Sequence, residues 1–117
     1  MIAKKFRLRS WKVQKILKRE SGKKIGMFTI KSVLNKKKYH RWSIILSRKF
    51  AKQAVMRNKI RRQIYESIRI NLDSIQKNQE ITDKSYFDIV LIPYKHILTC
   101  SYPKIDQNIK DIISQIA

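Results

Sequence analysis

AKQAVMRNKIRRQIYESIRINL, residues 51–72, joins a helical pattern to a dense run of positive charge. From about Ala54 to Leu72, apolar Ile60, Ile64, Ile68 and Leu72 recur every four residues, the stripe of a helix that buries one face. At about 100° per residue, Asn58, Arg62 and Arg69 share one polar flank with Tyr65 beside them. Arg57 and Arg61 form a separate i, i+4 row that runs into the apolar stripe. Burying both charges would be costly, so the pattern predicts a first turn that projects past the core and lines an open groove. No carboxylate occurs in the run before Glu66, so its cations repel one another unless an external anion neutralises them.

The rest of the chain repeats this imbalance. Its 117 residues hold 28 Lys and Arg against 8 Asp and Glu, a formal +20, more than a small domain needs for solubility. Residues 1–62 hold 22 basic and one acidic residue; residues 63–117 hold six and seven. All the excess lies in the first half, and a polyanion is the expected partner. A membrane surface fits less well than nucleic acid, because the basic half has no long apolar face rich in Trp and Leu. A DNA-binding helix is disfavoured too, since strands rather than a short helix precede the basic helix.

A single cysteine, Cys100, calls for no oxidising compartment, and no stretch reaches the length of a membrane span. The amino-terminal MIAKKFRLRSWK lacks the apolar run of a signal peptide, and a transit peptide is a weaker reading because Ser is sparse. The expected location is the cytoplasm. With two glycines, two prolines and no internal repeat, the chain reads as one domain over residues 1–117.

Outward from the basic helix, the elements follow from residue pattern. SWKVQKILKRES reads as a first helix with Ser10 as N-cap, Trp11, Val13, Ile16 and Leu17 at helical spacing, and Gly22 as its stop. GKKIGMFTIKSVL and YHRWSIILS favour strands, joined across the exposed NKKK as a hairpin. YFDIVLIP is a strand ended by Pro93. YPKIDQNIKDIISQIA is a last helix with Pro103 in its first turn and Ile105, Ile109, Ile112, Ile113 and Ile116 inside. The result is an α+β class, an α/β sandwich in the order α-β-β-β-α-β-α. The order of strands within the sheet stays open.

Protein-based chemistry has little support. Glu20 is the lone acid of the basic half, the other seven are scattered, and no metal-ligand spacing is present. His40 and His96 lie far apart and read as surface or packing residues. Cys100 has no partner at zinc spacing. No glycine loop suited to phosphate occurs. A stand-alone protein ribonuclease is therefore disfavoured, and no small-molecule substrate is expected.

RLRSWKVQKIL and LSRKFAKQAVMRNKIRRQI together resemble the protein subunit of bacterial ribonuclease P. The second is similar to that family's signature, Ser-Lys-Lys ahead of an Ala-Val-x-Arg-Asn-Arg-x-x-Arg helix. The resemblance implies a left-handed βαβ crossover, where the general rule is a right-handed one. It implies a non-catalytic subunit of an RNA-based endoribonuclease, with Mg²⁺ held mainly by the RNA. Its partners would be ribonuclease P RNA and precursor tRNA, whose 5′ leader is removed. Carried over by position, Arg7, Arg9, Arg48, Lys49, Lys52, Arg57, Asn58, Lys59, Arg61 and Arg62 would contact RNA. Lys59 stands where the family usually has Arg, which keeps charge but loses the bidentate fork. The loop RKFAKQ is one residue longer than in many relatives and lacks their glycine.

In the family, the first helix and the sheet form a cleft for the single-stranded leader, often with aromatic rings to stack on bases. The matching positions on the first helix are Val13 and Leu17; the sheet offers the rings of Phe28 and Trp42, with Lys31 a further candidate for the leader cleft. For Phe28, Trp42 and Val13, packing in the core is at least an equal reading. The rival function is that of a basic ribosomal or other structural RNA-binding protein, which needs positive charge but not this ordered signature.

Overall fold

The computed structural model describes residues 6–37, 39–46, 49–82 and 86–116, and for 72–82 and 116 the backbone alone. Four strands form a sheet between two helical layers. The first helix, α1 (Ser10–Arg19), lies on one face; α2 (Ala54–Thr82) and α3 (Tyr102–Ile116) lie on the other. The strands are β1 (Lys23–Ile25), β2 (Phe28–Leu34), β3 (Arg41–Ile44) and β4 (Phe87–Pro93). A short 3-10 turn, Lys95–Thr99, leads from β4 into α3 and is anchored by buried Ile97. No hydrophobic periodicity in the sequence marks it.

The sheet order is β1-β2-β4-β3, which corrects the hairpin expected across NKKK. β2 and β3 do not pair; β4 lies between them, antiparallel to β2 and parallel to β3. Ile89, Val90 and Leu91 of β4 are all fully buried, so this strand needs cover on both faces and takes a central position. The chain reaches it from β3 through α2, a βαβ crossover. The corner after β2 is secured to β4 instead: the Asn35 amide donates to the Tyr86 carbonyl at 3.0 Å, and Asn35 Nδ2 donates to Asp88 Oδ1 at 2.9 Å.

The hairpin that does form joins β1 to β2, with Ile25 opposite Phe28 and Gly26 at φ +59 between them. That left-handed conformation favours glycine. Asn108 of α3 clamps the turn: its Oδ1 accepts from the Met27 amide at 2.6 Å, and its Nδ2 donates to the Ile25 carbonyl at 3.3 Å.

The two faces of the sheet bury different amounts. Phe28, Ile30, Trp42, Ile44, Ile89 and Leu91 meet Ile60, Ile64 and Ile68 of α2 and Ile105, Ile109, Ile112 and Ile113 of α3. This is the main core, each large side chain contributing roughly 1.5–3 kcal/mol on burial. Leu72 and Ile116, expected in the same stripes, have side chains outside the described residues. The opposite face is smaller: Val13 and Ile16 of α1 pack on Val90, bordered by Leu8, Leu17, Val33, Ile45 and Ile92.

Helix α1 begins one residue differently from its sequence reading. Arg9, extended and without a side-chain cap bond, is the N-cap, and Ser10 is already helical. The helix ends at Arg19, before Gly22, where the Glu20 amide closes on the Ile16 carbonyl at 3.0 Å. Ahead of α1, Arg7 forms a parallel bridge to Trp42, and the Leu8 amide donates to the Trp42 carbonyl at 2.8 Å. Residues 7 and 8 thus run along β3.

Candidate nucleic-acid interface

The first turns of α2 sort the basic run into distinct roles. Arg57 is half-buried, and its Nη1 donates to the carbonyl oxygens of Ala51 at 2.6 Å and Lys52 at 3.0 Å. Its guanidinium holds the loop that precedes its own helix. Arg61, also half-buried, donates from Nη1 to Asn58 Oδ1 at 2.9 Å. Asn58, Lys59 and Arg62 are exposed. Val55, Asn58, Arg61 and Arg62 line an open depression of about 520 Å³.

The helical wheel separated Arg61 from Asn58 and Arg62; the structure brings the three to one depression and turns Arg57 away. Arg69, grouped with them by angle, is paired to Glu66, with Nε 3.1 Å from Oε2, and so is neutralised. Tyr65 is buried rather than on the polar flank. Burial raises its hydroxyl pKa, opposed by the charges of Arg61 and Arg7. Arg9, Lys49 and Lys52 are exposed, while Arg48 lies outside the described residues.

Among the described residues, no carboxylate pairs with Arg7, Arg9, Lys49, Lys52, Arg57, Lys59, Arg61 or Arg62. The depression therefore offers one amide and two guanidinium groups, suited to phosphate oxygens and to the planar edges of bases. Also among the described residues, no three His, Cys, Asp or Glu side chains converge to hold a metal ion.

The second candidate region is the α1 face of the sheet. Val13 is packed on Val90, leaving Leu17 and Lys31 half-buried at the open end, where Lys31 Nζ donates to the Leu17 carbonyl at 3.1 Å. Phe28 and Trp42 are a correction: both are fully buried in the α2 and α3 core, and neither can present a ring to a base. Strand alternation decides this, since Thr29 and Lys31, not Phe28, point to the α1 side.

The ring on that side is Tyr94. It follows β4 at the same parity as Val90 and Ile92, is 37% exposed, and shares a hydrogen bond of 2.5 Å with Thr29 Oγ1. His96 stacks beside it at 6.1 Å and 12°, and Lys24 Nζ lies 5.2 Å from its ring centroid. The alternation through YFDIVLIPY could have signalled this, had the strand been followed past Pro93.

Among the described residues, no helix is long and apolar enough to cross a membrane. No curated protein matches the chain by sequence. Its fold matches ribonuclease P protein from Thermotoga maritima, solved with 1-(4-fluorophenyl)-2-thiourea, at a TM-score of 0.77 and 26% identity over 95% of this chain and 100% of that one. A mutant of the Staphylococcus aureus ribonuclease P protein with defective mRNA degradation activity matches at a TM-score of 0.75 and 22% identity, over 96% and 88% of the two chains; at that identity the likeness is one of fold. The ribonuclease P family model matches residues 2–117. With an α+β fold of matching element order and its basic signature on α2, this chain belongs to the ribonuclease P protein family.

Proposed function

We propose that the chain acts in the cytoplasm with a catalytic RNA, binding that RNA through the start of α2 and the 5′ leader of precursor tRNA along the α1 face of the sheet. The observation that carries this is the depression of Asn58, Arg61 and Arg62, three converging side chains with no carboxylate paired to them among the described residues. Arg57 contributes by holding the loop in place. On the other face, Tyr94 offers a stacking ring while Lys24 and Lys31 supply charge for the backbone of a single strand. Mg²⁺ is placed with the RNA, and the chain's own task is to reduce repulsion between two polyanions and to hold the leader.

Cleavage of a precursor tRNA at low Mg²⁺ tests the proposal, comparing bacterial ribonuclease P RNA alone, protein alone and both together. Efficient cutting at the mature 5′ end by the mixture only is the expected result. Cutting by the protein alone would overturn the placement of catalysis in RNA. Binding without stimulation of a cognate RNA would favour a structural RNA-binding role instead.

A further inference from the structure

Helix α1 has a face that neither the sheet nor the α2 depression uses. Val13 and Ile16 point to the sheet, so Trp11, Lys15 and Lys18, at i, i+4 and i+7, form the outward stripe. Trp11 is 63% exposed, an unusual position for the side chain with the most apolar area to hide. Lys12 Nζ lies 5.9 Å from its ring centroid. The helix SWKVQKILKR holds four cations and no acid, and among the described residues none of them has a carboxylate partner. Like charges three and four residues apart destabilise a helix unless an anion lies across them.

A lone exposed aromatic residue needs no explanation. Here the ring stands on an otherwise cationic stripe with no ion pair among the described residues, and that combination matches a single strand, whose base can stack while adjacent phosphates take the charge. An anionic membrane fits less well, because the apolar residues of α1 are already spent on the sheet and Trp11 alone remains to insert.

We propose that the outward face of α1 is a further RNA contact, distinct from the α2 depression and from the sheet face assigned to the leader, in which Trp11 stacks on an unpaired base and Lys15 and Lys18 engage the flanking phosphates. It rests on the reading of the chain as an RNA-binding protein, but not on which RNA the α2 depression holds.

Trp11 provides the signal for a test, since Trp42, the other tryptophan, is fully buried. An unstructured ten-nucleotide RNA is titrated into the full chain while tryptophan emission is followed, with polyphosphate and anionic lipid vesicles as parallel probes. Quenching by the RNA is expected, absent in Trp11→Leu and retained in Arg61→Ala with Arg62→Ala. Affinity for the oligonucleotide should fall roughly 5- to 150-fold in Trp11→Leu, the loss of one base–aromatic stack. Lys15→Ala with Lys18→Ala should reduce the salt slope by about 1.4, roughly 0.7 for each phosphate of a single strand. Loss of quenching in the Arg61 and Arg62 variant would overturn a separate site while leaving the α2 assignment intact. No quenching by RNA, equal quenching by polyphosphate, or a blue shift on vesicles alone would overturn the proposal outright.

Discussion

Arg57 Nη1 lies 2.6 Å from the carbonyl oxygen of Ala51, so the first arginine of the basic run is a clamp on the loop before its helix. Arg61, one turn later, reaches Asn58 and leaves the rest of its fork to solvent. Their replacements should therefore differ in kind. Arg57→Lys keeps the charge but loses the fork, and should loosen residues 49–53 toward proteolysis and weaken RNA binding with the salt slope unchanged. Arg61→Ala should lower that slope by about 1 with the loop intact. Binding measured across a salt series checks both; a falling slope in Arg57→Lys would make Arg57 a direct phosphate ligand.

Asp88 is a fully buried carboxylate with three donors. Arg41 Nε and Nη2 reach its two oxygens at 2.7 Å each, and Asn35 adds the third. The bond to Asp88 raises the Arg41 pKa. Removing the carboxylate strands Arg41 and Asn35 and unties β3 and the corner after β2 from β4. Asp88→Ala should cost about 3–5 kcal/mol in urea unfolding. A loss under about 1 kcal/mol would show that water replaces the carboxylate.

His40 is buried beside Trp42, Tyr86 and Phe87, and its Nδ1 accepts from the Phe87 amide at 2.9 Å. Burial lowers its pKa from 6.5 to about 4. Between those values the unfolded chain binds a proton that the folded chain does not, so falling pH favours unfolding. Stability present above pH 6.5 should be lost as pH drops toward 4, by at most about 3 kcal/mol. Denaturation at pH 7 and pH 5 measures it, and a slope unchanged in His40→Gln would assign the effect to other groups.

The turn between β1 and β2 should show coupling to α3. Gly26→Ala would strain a positive φ and push its Cβ into Asn108, a loss of about 1–3 kcal/mol. Asn108→Ala, which leaves the Met27 amide unpaired, should cost about 1–2 kcal/mol. The double variant should cost less than the two combined, since removing Asn108 also removes the obstacle to the alanine. Simple additivity in thermal unfolding would argue against the clamp.

Element types and charge were legible in residue order. The isoleucine stripes of α2 and α3, the β-branched runs of β2 and β4, and the excess of cations before residue 63 are local patterns, set by backbone periodicity and composition. The family signature on α2 was likewise legible in residue order. The candidate leader face was less legible. Residue type alone offers Phe28 and Trp42 as rings, and strand alternation turns them into the core while bringing Tyr94 to the α1 side.

The remainder depended on partners distant in sequence. Periodicity records which residues of an element share a face, not which neighbour covers it. Only packing sets β4 between β2 and β3, because that is where Ile89, Val90 and Leu91 are shielded on both sides. Only the folded loop offers Arg57 the carbonyls of Ala51 and Lys52, while Arg61 and Arg62 line the depression with Asn58. Composition by itself determined that this chain must meet a polyanion; tertiary hydrogen bonding decided which of its cations are free to do so, because a guanidinium satisfied by backbone has fewer donors left for phosphate.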